Sequence, residues 1–271
     1  MTFGYQVLGF GAFPNRAGAG GYVPAGAVLV ETGDELNRTM SQVSSNKKKH
    51  VISCWRKASG RTGSGAQLIG VAASSYDRIE FRDAVPNNKL MYTTDGGSSN
   101  LTVRSSAVLM DPTGWQHLVI GYDSTQSSGS RVVFYYNGVL QTAQTYGDGS
   151  GEIALNTDSD LLSNAVSVDI WDGGQVNGDM YADFIALDGQ SIQGGDVAIG
   201  DFGEFDSTTG IWVPKNPADA GFTFGTNGFW LDFSAPSFAT YGVGKDASGE
   251  DNHFTPTSMG ANNIAVDGSA N

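Results

Sequence analysis

Residues 115–141 read WQHLVIGYDSTQSSGSRVVFYYNGVLQ, and no other stretch limits the fold as sharply. Leu118, Val119, Ile120 and Tyr122 make one run of β-formers, and Val132, Val133, Phe134, Tyr135 and Tyr136 make a second. The polar residues 123–130 join them. Asn137-Gly138 then supplies the positive φ angles of a tight hairpin into a third strand. Bulk falls on both alternating faces of the first run, with Trp115 and Val119 on one and Leu118, Ile120 and Tyr122 on the other. A strand that is apolar on both faces belongs inside a layered β structure, because a one-sided surface sheet would leave one face wet.

Further strands are expected at 27–31, 50–57, 67–72, 78–82, 89–93, 101–108, 167–171 and 180–187. Turn clusters such as Pro86-Asn87-Asn88 and Asp95-Gly96-Gly97 separate them. No segment carries a long 3.6-residue stripe, so helix is scarce, and no fixed-period repeat is present. This pattern predicts an all-β protein, an antiparallel β-sandwich of the jelly-roll type. The expected organisation is a Gly/Ala-rich arm over 1–25 and one domain over 26–271, with a C-terminal aromatic segment at about 200–257 packing back on it. The arm's scattered aromatics (Phe3, Tyr5, Phe10, Phe13, Tyr22) suit a segment that lies along another copy, another protein or its own domain.

The formal net charge of −13 argues against nucleic acid and against an anionic membrane as partners. No apolar run approaches the ~20 residues that span a bilayer, and the N-terminus lacks a signal peptide's basic and apolar regions. Cys54 is the one cysteine, so no internal disulfide forms, which suits assembly in a reducing cytoplasm. It lies in the alternating strand HVISCWRK and is read as a buried structural thiol. Lys47-Lys48-Lys49 reads as the polar flank of that strand.

Three segments carry a resemblance. The first is Trp115-Gln116-His117-Leu118-Val119-Ile120-Gly121-Tyr122-Asp123, followed by Val133-Phe134-Tyr135-Tyr136-Asn137-Gly138-Val139. The second is Gly203-Glu204-Phe205-Asp206 through Gly210-Ile211-Trp212-Val213-Pro214-Lys215. The third joins Phe224-Gly225-Thr226-Asn227-Gly228-Phe229-Trp230-Leu231-Asp232-Phe233-Ser234 to Gly244-Lys245-Asp246-Ala247-Ser248-Gly249. Together they resemble laminin-G-like, concanavalin A-like jelly-roll proteins of tailed, often marine, phages, over about residues 27–257. Cys54 departs from the aromatic or small residue usual at its position. The resemblance implies a non-enzymatic virion protein, either a capsid decoration (head fibre) or a tail-fibre adhesin. Such a protein would assemble in the host cytoplasm, sit on the virion surface, contact other virion proteins, self-associate through residues 1–25 and bind a host-surface glycan. The alternative is a free-standing carbohydrate-binding or glycan-cleaving protein of the same fold.

Catalysis of the retaining kind needs two carboxyls ~5 Å apart. No E-x-D-x-x-E string supplies them, and Asp158, Asp160 and Asp169 read as loop acids. His50, His117 and His253 lie far apart without a nucleophile motif, and His117 reads as a packed core residue, so no catalytic residue is assigned. For a glycan, Trp171 beside Asp172, with Asn177 in the following Gly/Asn loop, is the candidate platform, whereas Trp212 and Trp230 are read as packing residues. Calcium is the one ion to consider. Asp246, Asp251 and Asn252 offer hard oxygens around Gly249 without the full calcium-loop spacing, and turn formation accounts for the same residues. Asp123 and Asn137 are expected at neighbouring loop ends as a second rim for such an ion.

Overall fold

The computed structural model describes residues 21–265, apart from 60–64, 72–76, 83–88, 95–100, 110, 143, 147–151, 164–165, 173–175, 177 and 236–239. Its first strands are β1 (Ala27–Val30), β2 (Glu35–Thr39), β3 (Lys49–Lys57), β4 (Ala66–Val71), β5 (Arg78–Arg82) and β6 (Lys89–Thr94). Next come β7 (Leu101–Ser105), β8 (Gln116–Asp123), β9 (Val132–Tyr136), β10 (Val139–Leu140) and β11 (Gln144–Tyr146). The four-residue β12 (Ser167–Ile170) and the ten-residue β13 (Asp179–Asp188) follow, one in each main sheet. Shorter elements follow: helix α1 (Ile199–Phe202), β14 (Gly203–Phe205), β15 (Trp212–Pro214), β16 (Phe229–Leu231), β17 (Thr255–Thr257) and β18 (Ile264–Ala265).

Two antiparallel sheets form the sandwich. One runs β10-β9-β8-β3-β13-β1-β18, with β16 also paired to β13. The other runs β11-β7-β6-β5-β4-β12-β2-β17. The architecture is the antiparallel jelly-roll sandwich of the concanavalin A-like type. Strand β2 has no local signature, since ELNRT is mostly polar. It is set by its neighbours β12 and β17, which pair with it on both sides.

The double-faced character of β8 has a direct cause. Leu118, Ile120 and Tyr122 enter the space between the sheets, with Ile52 and Cys54 of β3 and Ile79, Phe81 and Tyr92 of the opposite sheet. On the other face Val119 joins Val51, Ile185 and Leu187 under a cover made by Ile192, Val197, Phe202, Phe222, Phe224 and Trp230. Residues 192–224 together with Trp230 therefore form a third layer on the outer face of the first sheet, whereas β16, β17 and β18 extend the two sheets themselves. Each large apolar side chain so buried stabilises by ~2 kcal/mol. Cys54 is fully buried in the inner layer, where desolvation pushes its thiol up to about 12 and leaves no thiolate at neutral pH.

Trp212 fastens the β14–β15 hairpin to β8. Its indole Nε1 donates to His117 Nδ1 at 3.0 Å, so the His117 proton sits on Nε2, 2.9 Å from Ser53 Oγ. Burial holds His117 neutral, its pKa lowered to about 3. The Asn137-Gly138 turn touches the same indole, because a Cβ at Gly138 would lie 2.4 Å from the Trp212 ring. Glycine is thus required there by close approach as well as by its φ of 77°. Trp212→Phe keeps one aromatic ring and removes the N–H, leaving His117 Nδ1 buried without that donor. An expected loss of about 1–3 kcal/mol in a urea titration checks this.

The lysine triplet flanks β3 as ion pairs, Lys47 to Asp160, Lys48 to Asp158 and Lys49 to Asp196. Such partly exposed pairs contribute little each, in the range of about 0–1 kcal/mol. Among the described residues no helix is long and apolar enough to cross a membrane.

Candidate functional site

The structure moves the candidate platform. Trp171 is only 1% exposed, and its ring lies against Tyr181, Phe184 and Phe233 in the core. Alternation along β12 would send it outward beside Asp169, but its backbone adopts φ 69° and swings the ring inward. A sugar has no face of Trp171 to stack on, which corrects that expectation. Asp172 is exposed at the end of β12, and Asn177 lies outside the described residues.

Two of the three proposed calcium residues, Asp246 and Asn252, are pins of the C-terminal layer. Asp246 Oδ1 accepts from the amides of Trp230 and Ser248, and Oδ2 accepts from Ser248 Oγ and the Asn252 amide. Asn252 Nδ2 donates to the carbonyls of Thr226 and Gly228, and its Oδ1 accepts from Arg38. Asp251 is exposed with φ 57°. All four lone-pair directions of Asp246 are thus engaged within the protein. The second rim is corrected outright. Asn137 pairs beside His117 at one end of β8 and Asp123 stands at the other, about 20 Å away at ~3.4 Å per residue. Asp123 is buried there, accepting from Thr125, Gln126 and Ser191.

What these pins hold up is a cleft. Phe224-Gly225-Thr226-Asn227-Gly228 folds tightly against Asp188, and a Cβ at Gly225 would meet the Asp188 carbonyl oxygen at 2.2 Å. Asp188 in turn accepts from Ser44 Oγ and from the amides of Ser45 and Asn227. The loop therefore presents Phe222, Phe224 and Trp230 half-buried around a cleft of about 500 Å³, completed by Pro217, Ser248 and Glu250. A second cleft of about 630 Å³ shares Thr223 and Glu250 with it and brings Arg38, Gln42, Ser45 and Asn252. Aromatic walls thus adjoin a polar ledge of amide, hydroxyl and guanidinium groups. Trp230, expected to be a packing residue, is only partly so, because β16 is three residues long and one face of its ring lines the cleft.

A profile of the concanavalin A-like lectin/glucanases superfamily, of laminin-G type, matches residues 33–182. The chain belongs to this superfamily. Solved structures align with the chain at low identity. A candidate carbohydrate-binding protein from Bacteroides ovatus aligns at 13% identity and TM-score 0.49, covering 87% of this chain and 58% of that one. Domains LG4-5 of the mouse laminin alpha1 chain align at 15% and TM-score 0.43, covering 64% and 44%. A heptameric SAP-like pentraxin from Limulus polyphemus aligns at 12% and TM-score 0.37, covering 61% and 77%. The chain thus spans less than two thirds of the Bacteroides protein and of the laminin domains. No curated protein matches the sequence. The superfamily match stops at Ala182, and the aromatic cleft is built entirely from residues beyond it.

For a superfamily whose name includes glucanases, the arrangement of acids matters. Asp169, read from sequence as a loop acid, sits in β12 and is buried, with Asn37 of β2 as its register partner. Glu35, two residues back along β2, shares a hydrogen bond with it. Both carboxyls are raised, by burial first. For Glu35 the charges of Asp169 and Asp172 add to this, and for Asp169 that of Asp172. Asn37 Nδ2 donates to Asp169 Oδ1 and to Ser167 Oγ. Carboxyls in direct contact hold a proton between them, whereas a retaining acid and nucleophile stand ~5 Å apart across the scissile bond.

Proposed function

We propose that this protein is a non-enzymatic display module of a phage particle, a capsid decoration or a tail-fibre adhesin, that recognises a host-surface glycan through the cleft walled by Phe222, Phe224 and Trp230. The observation that carries the binding half is the meeting of three half-buried aromatic side chains with a polar ledge at one open cleft. Sugar rings present apolar C–H faces and directional hydroxyls, and a site of this make-up answers both. The phage half rests on the resemblance of residues 203–215 and 224–249 to the C-terminal tail of phage laminin-G-like proteins. In this reading the module assembles in the host cytoplasm with other virion proteins, self-associates through residues 1–25, and faces outward on the virion surface. Residues 1–20 of that arm lie outside the described residues, and Tyr22 and Pro24 rest on the domain.

Screening the protein against immobilised bacterial surface polysaccharides tests the cleft. Trp230→Ala is expected to weaken binding about tenfold or more, the effect of losing a stacked aromatic, while a melting curve verifies the fold. Unchanged binding would reject this location. Immunogold electron microscopy of particles tests display. The second reading, glycan cleavage, has one buried acidic pair to draw on, Glu35 and Asp169, although their direct contact is not the ~5 Å separation of a retaining pair. It predicts reducing ends released from the same panel and abolished by Glu35→Gln.

A further inference from the structure

Strand β13 carries one extra residue against β3 between Ala182 and Ile185, and the residue in that bulge is Asp183, at φ 42°. Bulges re-aim a side chain, and here the result is a carboxyl only 2% exposed. Its Oδ1 accepts from two donors of different origin. Tyr22 Oη, in the N-terminal segment, lies at 3.0 Å, and Trp230 Nε1, in the wall of the aromatic cleft, at 2.9 Å. Its Oδ2 is buried and has no hydrogen-bond partner among the described residues. A strained bulge, a buried acid and an unfilled acceptor coincide at one residue, whereas a purely structural strand would place an apolar side chain there.

We propose that Asp183 is the docking point that ties the N-terminal segment to the Trp230 wall, so that seating of Tyr22 and the state of the cleft are energetically coupled. Both donors converge on one oxygen, so withdrawing Tyr22 leaves the carboxyl with a single donor and opens its buried side to water. Trp230 then loses the fixed partner that orients its ring. The coupling is reciprocal by necessity, and whatever grips Trp230 also grips the N-terminal segment. The titratable groups acting on Asp183 are Tyr22, which also hydrogen-bonds to it, and Asp232, a like charge. Its pKa is raised to about 7, burial being the largest cause, so the node changes charge close to neutrality. Tyr22 sits at the edge of another cleft with Asp201, Glu204, Lys215 and Asp219. The consequence for ligand binding rests on the cleft reading given above, but the coupling itself does not.

The test uses the full chain labelled with 5-fluorotryptophan, with the Trp230 resonance assigned by Trp230→Phe. Tyr22→Phe removes one hydroxyl and is expected to shift the Trp230 fluorine line while those of Trp55, Trp115 and Trp212 stay in place. In the other direction, Trp230→Phe is expected to lower hydrogen-exchange protection of the Tyr22, Val23, Ala25 and Gly26 amides by about fivefold or more. The Trp230 line should also titrate near pH 7 in the parent and not in Asp183→Asn. A Trp230 line unmoved by Tyr22→Phe, or protection of those amides unmoved by Trp230→Phe, overturns the proposal. No glycan enters these measurements, so a failure of the cleft reading and a failure of the coupling are told apart.

Discussion

Asp179→Ala is expected to destabilise the protein by about 3–5 kcal/mol, the cost of stripping the counter-charge from a buried cation. Arg56 of β3 and Asp179 of β13 are both completely buried. Asp179 Oδ2 receives Arg56 Nη2 at 2.6 Å and Nε at 2.7 Å, while Oδ1 accepts the Ser59 amide at 2.8 Å. Arg56 Nη1 also donates to the Leu109 carbonyl, and its guanidinium lies 4.0 Å over the Phe81 ring. Removing the carboxylate leaves an uncompensated guanidinium fully buried against the Phe81 ring. Arg56→Met in the Asp179→Ala background is therefore expected to recover at least ~2 kcal/mol, because the stranded charge leaves with it. Urea unfolding of the parent, both single variants and the double variant measures this. Single losses under ~1 kcal/mol, or strict additivity, would show that the pair does not act as a unit.

That pair illustrates where sequence reading stops. Alternation in residues 115–136 revealed a strand buried on both faces, because β side chains have a period of two and both registers were bulky. Asn137-Gly138 marked its turn for the same local reason. Arg56 and Asp179 are separated by 123 residues, and only the pairing of β3 with β13 brings them together. Trp171 misled because one residue at positive φ reverses the period that the argument relied on. Trp230 misled in the opposite sense. Its motif segment does pack, but β16 meets only the far half of β13, so one face of the indole stays open. The acids near Gly249 looked like ligands because Asp and Asn serve loops and ions with the same oxygens. Backbone donors four residues or more away decide between these uses, and no local pattern records them.

The C-terminal layer also explains why the aromatic run of 222–233 is so dense. It has to cover the outer face of the first sheet and still leave edges in solvent. Phe229, Leu231 and Phe233 face inward and are buried, while Phe222, Phe224 and Trp230 divide their surface between Val119, Ile185 and the cleft. Inner core and cleft wall are thus alternate faces of one strand and its flanks, and a change in how the layer seats itself alters the cleft.

Asp183→Asn provides the sharpest reading of that seating through the pH dependence of stability. The native pKa of Asp183 is raised to about 7 from 3.8, so between these values the folded protein holds a proton that the unfolded chain has released. Stability contributed at this site is therefore complete below about pH 4 and lost as pH rises towards 7. His50 and His117 act in the opposite sense. Each is buried with its pKa lowered to about 3, so their contribution is intact above 6.5 and lost as pH falls below it. Those histidines are common to both chains and cancel in the difference. Asparagine tolerates the left-handed backbone at 183, and its Oδ1 still accepts from Tyr22 and Trp230, so the substitution removes the charge and little else. Relative to the parent, Asp183→Asn is expected to gain about 2–3 kcal/mol between pH 5 and pH 8, at ~1.4 kcal/mol per pH unit over the titrating range. Urea unfolding at a series of pH values measures the gap. Curves that run parallel from pH 5 to 8 would mean that the Asp183 carboxyl is ionised throughout and that the buried node carries a permanent charge.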